Sequence, residues 1–408
     1  MTKLNELIQQ FCPDGVEYKT LGSFATISRG GNFQKKDFRD DGFPCIHYGQ
    51  IYTKYGLFVD KTVSFISPAC ASKQKTASKN DIIMAVTSEN IEDVCKCIVW
   101  LGDGEVAVSG HTAIIRHLQN PKYLAYYFHS RMFFDQKRKL AHGTKVIEVT
   151  PDKLASVKIP LPPIEVQREI VRILDNFTEL TAELTAELTA RKKQYEYYRD
   201  KLLAYNYDVE LFTISDIAET SIGLATSVSQ HKRENGVILL HNSDIQQNKI
   251  VLKTVEYISK EFAQKNKKKV LRKGDIITVH TGDVGTSAVI DDEYDGAIGF
   301  TTITTRIKDT ARVNPYFLCH YLNSHKCKQD IASMTISDRS NLNQKSFNTI
   351  QIPVPPLEIQ NRIVNVLDNF DAICSDLKIG LPAEIAARQK QYEFYRDKLL
   401  TFKEQKSK

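Results

Sequence analysis

The stretch Ile159-Pro-Leu-Pro-Pro-Ile-Glu-Val-Gln-Arg-Glu-Ile-Val-Arg-Ile-Leu-Asp-Asn-Phe177 returns, little changed, as Ile352-Pro-Val-Pro-Pro-Leu-Glu-Ile-Gln-Asn-Arg-Ile-Val-Asn-Val-Leu-Asp-Asn-Phe370. Each copy closes on a near-identical string, ARKKQYEYYRDKLL from Ala190 and ARQKQYEFYRDKLL from Ala387. The Pro-Pro pair supplies an extended entry that stops the preceding strand. Beyond it, Ile170, Ile173/Leu174, Phe177, Leu180, Leu184, Leu188, Tyr195, Tyr198 and Leu202 fall three or four apart. That spacing predicts a coiled-coil helix from Glu165 to Leu203 with one apolar seam. The second copy carries Ile363, Val366, Leu367, Phe370, Ile373, Tyr392, Tyr395 and Leu399. Its Gly380-Leu-Pro382 is expected to kink or break the helix. Two such helices are expected to pack antiparallel, with a seam that both holds the pair and offers a surface to partner helices.

The second copy is four residues longer between its conserved ends (Ile352 to Ala387 against Ile159 to Ala190). In the first copy Thr181-Ala-Glu-Leu184 is followed at once by Thr185-Ala-Glu-Leu188, and Phe177-Thr-Glu-Leu180 is nearly a third unit. Four residues slightly overshoot one helical turn, so each added unit is a stutter that a coiled coil absorbs by local unwinding. The array reads as an adjustable spacer.

The regions before each copy align weakly. Val16-Glu17 and Thr20-Leu21 answer Val209-Glu210 and Thr213-Ile214; Ile46-His47 and Ile51 answer Leu240-His241 and Ile245. Lys79-Asn-Asp-Ile-Ile83 answers Lys273-Gly-Asp-Ile-Ile277, and Asn120-Pro-Lys-Tyr-Leu124 answers Asn314-Pro-Tyr-Phe-Leu318. Asn120 and Asn314 read as helix N-caps followed by proline at the first helical position. Residues 1–158 and 207–351 are thus expected to form homologous domains of short Val/Ile/Thr-rich strands broken by Gly and Asp turns. Conserved helices occupy 159–206 and 352–402, and a basic tail 403–408. The expected class is α+β, with two homologous α/β domains in pseudo-two-fold arrangement, separated by two long antiparallel coiled-coil helices.

A chain of 408 residues is long enough for two or more domains with full cores. It holds no apolar run of membrane-span length. Its start, MTKLNELIQQFCPDG, lacks the basic-then-apolar plan of a signal peptide, so a cytoplasmic location is expected. The eight cysteines (Cys12, Cys45, Cys70, Cys95, Cys97, Cys319, Cys327 and Cys374) form no C-x-x-C pair and read as buried reduced thiols rather than a metal site. Cys95 and Cys97 alternate on an expected strand and would point the same way. The net charge of +6 permits nucleic-acid binding without demonstrating it.

Several catalytic patterns fail. An amino-methyltransferase needs an Asp/Asn/Ser-Pro-Pro-aromatic loop, but the pairs here are Leu161-Pro-Pro-Ile164 and Val354-Pro-Pro-Leu357. Asn314-Pro-Tyr-Phe317 lacks the second proline, and no Gly-rich cofactor loop accompanies it. Pro13-Asp14 with Glu17-Tyr-Lys19 imitates a nuclease carboxylate pair and lysine, yet the spacing is too short and the aligned Tyr207-to-Phe212 segment lacks the lysine. No P-loop is present, and no Ser/His/Asp or Cys/His arrangement follows from spacing. No catalytic, metal or cofactor site is therefore assigned to this chain.

What remains is binding chemistry. The loop Arg29-Gly-Gly-Asn-Phe-Gln-Lys-Lys36 offers Arg29, Asn32, Gln34, Lys35 and Lys36, and Thr226 to Arg233 offers Ser227, Ser229, Gln230, His231, Lys232 and Arg233 as its counterpart. Thr87, Ser88 and Asn90 stand against His280 and Thr281, Thr144 and Lys145 against Arg339, Ser340 and Asn341, and His47 against His241. Arg and Lys read guanine, Asn and Gln read adenine, and Lys, Ser and Thr meet phosphates. Solvated turns share the same composition, and the basic runs Lys137-Arg-Lys139 and Lys265-Asn-Lys-Lys-Lys269 read either as solvated faces or as phosphate contacts.

The two Ile-Pro-x-Pro-Pro-x-Glu-x-Gln…Ile-Val…Leu-Asp-x-Phe blocks, the two Gln-Tyr-Glu-x-Tyr-Arg-Asp-Lys-Leu-Leu strings and the Thr-Ala-Glu-Leu array together resemble the specificity (S) subunit of type I restriction-modification systems, over essentially the whole chain. The array looks like the subgroup with a variable number of such units. The resemblance implies two target-recognition domains, each reading half of a bipartite double-stranded DNA site. It implies paired helices that act as ruler and dock two methyltransferase (M) subunits, through Ile170, Leu174, Phe177, Leu184, Leu188, Tyr195, Tyr198, Ile363, Leu367, Phe370, Tyr392 and Tyr395. Two restriction (R) subunits would join them, and AdoMet, Mg2+ and ATP would sit on those partners, none on this chain. The rival readings are the specificity partner of a type II methylase-nuclease, a self-contained AdoMet-dependent methyltransferase, and a coiled-coil protein without a DNA role.

Overall fold

The computed structural model describes residues 2–204, 209–334, 341–375 and 379–405. The chain divides into two compact units, Met1–Leu184 with Ile385–Lys408, and Thr185–Glu384. The helices that carry the repeat and its contacts are α1 (Pro121–Phe128), α2 (Ile164–Leu203), α3 (Pro315–Leu322), α4 (Leu357–Ser375) and α5 (Leu381–Leu399). The 40 residues of α2 run unbroken, without Gly or Pro. The second copy is two helices: α4 ends at Ser375 and α5 begins at Leu381, so the break expected at Gly380-Leu-Pro382 is present. Pro382 lies in the first turn of α5, where its missing N–H costs nothing. Because the boundaries between units fall inside α2 and α5, each unit combines the front of one copy with the back of the other.

In the first unit, Ala25–Arg29, Thr112–His117, Ile82–Ala85, Cys97–Trp100 and Phe58–Val59 form a five-stranded sheet in that order. A four-stranded sheet orders Ser64–Ile66, Phe43–Ile46, Val106–Val108 and Thr76–Ala77. The second unit repeats the plan with Ala218–Ile222, Thr302–Ile307, Ile276–Val279 and Ser287–Val289, and with Lys232–Arg233, Tyr257–Ile258, Val237–Leu240 and Ile298–Gly299. The central strands Ile82–Ala85 and Ile276–Val279 are buried at every residue, which is why they lack a polar/apolar alternation and carry one polar side chain, Thr278. Both follow the same turn. Asn80 and Gly274 take positive φ (73° and 86°), and the next residue, Asp81 or Asp275, accepts a backbone N–H from Ser78 or Arg272 at 2.8 Å. Arg116 and Arg306 then close ion pairs on these aspartates at 3.0 and 2.6 Å.

The repeated block earns its regularity by latching helix to sheet domain. In the first unit Gln167, 1% exposed, accepts the Asn120 backbone N–H at 3.0 Å and donates to the Pro162 carbonyl at 2.8 Å. In the second, Gln360, 0% exposed, accepts the Asn314 N–H at 2.8 Å and donates to Pro355 and Arg312 at 2.7 and 2.9 Å. Asn120 and Asn314 cap α1 and α3 with their side chains, as their sequence predicts. The aspartates of the two closing strings act in the same way. Asp397 accepts the Arg131 N–H at 3.1 Å and Asp200 the His325 N–H at 3.0 Å. Each carboxylate thereby sits at the N-terminus of a helix, where the dipole favours it.

The seam differs from expectation. Val166, Ile170, Val171 and Leu174 are buried on α2, and Ile363, Val364, Leu367 and Cys374 on α4. Val366 and Ile373, placed on the seam by spacing, are 42% and 45% exposed. Ile170, Leu174, Ile363 and Leu367 belong to the cores of their units, which removes them as docking residues. Tyr195 is buried, while Leu184 and Leu188 are half-buried. Phe177 stacks on Tyr395 at 5.4 Å, and Tyr198, 37% exposed, stacks on Phe370 at 5.7 Å; Tyr392 packs edge-on to Tyr126. Cys95 is not on a strand: it holds φ 66° in a turn, and the strand starts at Cys97. Seven cysteines are buried and Cys70 is half-buried. Residues 403–405 are not a free tail. Glu404 bridges Val16, and Tyr18 donates to the Phe402 carbonyl at 2.9 Å.

Candidate nucleic-acid interface

One cleft of about 750 Å³ opens in the first unit, lined by Arg29 to Gln34, His47, Tyr48, Lys73, Lys75, Ser109, Gly110 and His111. It gathers Arg29, Asn32, Gln34 and His47 from the candidate residues; Lys35 is exposed beside it. Gly30 and Gly110 form its floor because nothing larger fits: a Cβ on Gly30 would lie 2.1 Å from the Ser109 carbonyl, and one on Gly110 2.6 Å from that of Gly31. His47 ends the strand Phe43–Ile46 and caps the helix Tyr48–Thr53, its Nδ1 accepting the Gly49 N–H at 3.2 Å. Phe33, Phe38 and Tyr48 surround its ring. Burial, then the charge of Lys35 and then His111, hold its pKa below the usual histidine value. The neutral ring therefore keeps its proton on Nε2.

Around this cleft, Thr87–Ser88 is a short strand rather than a loop, paired with Ile147–Glu148, and Thr87 is buried. Glu148 ion-pairs with Arg29 at 3.0 Å and so ties that ribbon to the cleft. Thr144 and Lys145 are exposed in the loop leading to it, while Asn90 is spent on a local turn with Asp93. Lys36 is exposed on the single 3-10 turn Lys35–Asp37. Lys137 is buried and donates to the Glu92 and Val94 carbonyls at 2.8 and 2.6 Å, so it is neither a solvated face nor a phosphate contact. Sequence reasoning missed Tyr48, Lys73, Lys75, Ser109 and His111. The Lys73-Gln-Lys75 pair was visible as charge, but only the fold brings it beside Arg29.

The second unit is different in detail. The structural partner of Lys35–Asp37 is the 3-10 turn Ser229–His231, three residues earlier than the alignment by composition, and Lys232–Arg233 is an edge strand. Ser227, Ser229 and Gln230 are exposed, whereas His231 stacks on Phe262 at 3.8 Å and Arg233 folds back onto the Gln230 and Lys232 carbonyls. Lys232 and His241 both engage Glu256, at 2.7 and 3.1 Å, and hold its carboxyl below the usual range. His280 and Asn341 line a cleft of about 460 Å³ with Ile222, Asn343, Gln344 and Lys345. Thr281 donates to the Asn341 side chain at 3.0 Å. Burial lowers the His280 pKa. Arg339 and Ser340 lie outside the described residues.

Two further features sit on the helices. Tyr197 and Phe394, equivalent in the two closing strings, are each 61% exposed, with Lys201 and Lys398 over their rings at 5.8 Å. On α4, Ile359, Val366 and Ile373 recur every seventh residue and are 40%, 42% and 45% exposed. Among the described residues there is no group of three or more His, Cys, Asp or Glu suited to a metal, and no helix long and apolar enough to cross a membrane.

The site and fold thus define a duplicated α/β protein, each unit latched to a repeated helix and carrying a different polar cleft. The family model for the type I restriction modification DNA specificity domain matches residues 13–191 and 206–387, and the chain belongs to that family. It is 35% identical over 263 residues to a type I restriction enzyme specificity subunit of Escherichia coli, a match covering 60% of this chain and 63% of the relative. Solved structures share the fold. One, from work on complex assembly and conformational transition of the type I R-M system, gives a TM-score of 0.67 at 20% identity over 96% of this chain and 98% of the other. The S subunit from M. genitalium gives 0.52 at 16% identity over 95% and 96%.

Proposed function

We propose that this chain is the DNA sequence-recognition and scaffold subunit of a type I restriction-modification complex. Each unit reads one half of a bipartite double-stranded site. The carrying observation is that the same Gln, Asp and Asn latch recurs in both units while their clefts differ in composition. A constant frame under variable polar faces suits two readers of unlike sequence. The chain supplies no chemistry itself; AdoMet, Mg2+ and ATP belong to two methyltransferase and two restriction subunits in the cytoplasm. The exposed Tyr197 and Phe394, and the Ile359, Val366 and Ile373 stripe, support a docking role, since exposed aromatic anchors concentrate binding energy at interfaces. Arg29, Asn32, Gln34, Lys35, Lys36, Thr144 and Lys145 would face DNA in the first unit, and Ser227, Ser229, Gln230, His280, Thr281 and Asn341 in the second. The test replaces residues 207–351 with the second domain of another family member and maps N6-methyladenine across the host genome. One half of the methylated motif should change and the other stay; a motif unchanged, or changed in both halves, refutes the reading.

A further inference from the structure

We propose that Arg29 reads a guanine in the half-site of the first unit, with Glu148 as the residue that positions it. The inference rests on the DNA-reading role above. Arg29 ends the strand Ala25–Arg29 opposite Ala113 and lines the large cleft. Its Nε donates to the Gly110 carbonyl at 2.9 Å and its Nη2 to Glu148 Oε1 at 3.0 Å. A guanidinium has five N–H donors in a rigid plane. With one edge committed, the end-on pair formed by Nη1 and the second Nη2 hydrogen makes no hydrogen bond among the described residues. That fork matches the O6 and N7 of guanine, two adjacent acceptors that adenine, with a donor at N6, does not offer.

The support is itself held. Glu148 exchanges backbone hydrogen bonds with His142 at 3.0 and 2.8 Å, and it pairs with Thr87, whose carbonyl accepts from Tyr52 at 2.8 Å. Gly110 can bring its carbonyl to Arg29 because it lies against Gly31, where a Cβ would lie 2.6 Å from the Gly31 oxygen. A free arginine side chain would lose conformational freedom on docking; this one has already lost it. Among its described residues the second unit has no such device. Ile222 ends the equivalent strand and Asn341 bridges Thr281 where Glu148 pairs with Thr87. Among the described residues the fork is therefore found in the first unit alone.

The alternative is a salt bridge that only ties the cleft to its ribbon. The two differ in what Glu148→Gln does. The complex of the full chain with its methyltransferase partner is tested by competition between duplexes in which each guanine of the first half-site is replaced in turn by adenine or 7-deazaguanine. For the unchanged chain, one guanine should be sensitive to both replacements. Arg29→Ala should lower discrimination at that position roughly 10- to 100-fold, and Glu148→Gln should lower it partly while affinity for the second half-site stays constant. Equal weakening of all duplexes by Arg29→Ala, or discrimination unchanged, overturns the proposal. If in addition charge reversal at Lys73 and Lys75 leaves duplex binding untouched, the first cleft does not face DNA and the underlying reading falls with it.

Discussion

Replacing Gln167 by Met tests whether the repeated glutamine is what joins helix to domain. Met conserves length and apolar volume but supplies neither the acceptor nor the donors. The Asn120 N–H would lose its partner at 3.0 Å, and the Pro162 carbonyl and the Gln119 side chain theirs at 2.8 Å. The site is 1% exposed, so water does not replace them. An unsatisfied buried polar group costs about 1–3 kcal/mol, so the backbone N–H and C=O together set the loss at about 2–6 kcal/mol. For a unit of about 200 residues, each kcal/mol lowers Tm by roughly 2–4 °C, so a fall of about 4–24 °C is expected. Trp100, the only tryptophan in the chain, is 3% exposed in the same unit and reports its melting by fluorescence. A fall under about 2 °C would show that the amide is not the latch and that packing of Val166, Ile170 and Leu174 holds the junction alone.

Further outcomes follow from the same structure. Tyr197→Ala with Phe394→Ala should abolish co-purification of a co-expressed methyltransferase subunit while leaving Tm within about 1 °C, because both rings are 61% exposed; retained co-purification would refute a docking role. Burial, first of all, holds the His129 pKa down to about 4 from 6.5, and its Nε2 has no partner among the described residues. As pH falls below 6.5 the unfolded chain takes the proton first, so stability is full above that pH and declines toward pH 4. The Trp100 transition should lose about 2 kcal/mol between pH 7 and pH 5, and His129→Phe should flatten the slope; an unchanged slope would exclude this residue as its source. Inserting one Thr-Ala-Glu-Leu unit after Leu188 adds roughly 6 Å of helix. Methylome sequencing should then show both half-sequences kept and their separation increased by one or two base pairs, and an unchanged separation would mean that α2 is not the ruler.

The parts of the fold legible in the sequence are those where one residue type has one job. The Asn-Pro caps, the unbroken α2 and the break before Pro382 all follow from local chemistry, and all are present. Heptad spacing did less well. It placed Val366 and Ile373 inside because it assumes a single seam. In each unit the helix also packs against a sheet domain, which shifts the buried stripe to include Val364 and Cys374. The cleft was half legible. Gly30-Gly31 and the polar residues after them mark a special loop, but Lys73, Lys75 and His111 arrive from other turns and loops. Their proximity is a property of topology, which no local pattern carries.

The duplication stops at the helix surfaces, and the reason lies in one extra element. The N-terminal helix Thr2–Phe11 packs Leu4, Leu7 and Ile8 into the core of the first unit and sets Lys3 3.8 Å from Glu169 on α2. Beneath it Val166 is 0% exposed and Glu169 5%. Their counterparts on α4, Ile359 and Arg362, are exposed, and Arg362 reaches only Glu358 of its own helix at 2.7 Å. The same helical face is therefore closed by the chain itself in one unit and open, with the opposite charge, in the other. A helix that docks on α4 must bring apolar residues for Ile359 and Val366 and a carboxylate for Arg362. Two partners of one kind would then meet unequal surfaces here, and the surface the two units do share is the exposed ring at Tyr197 and Phe394.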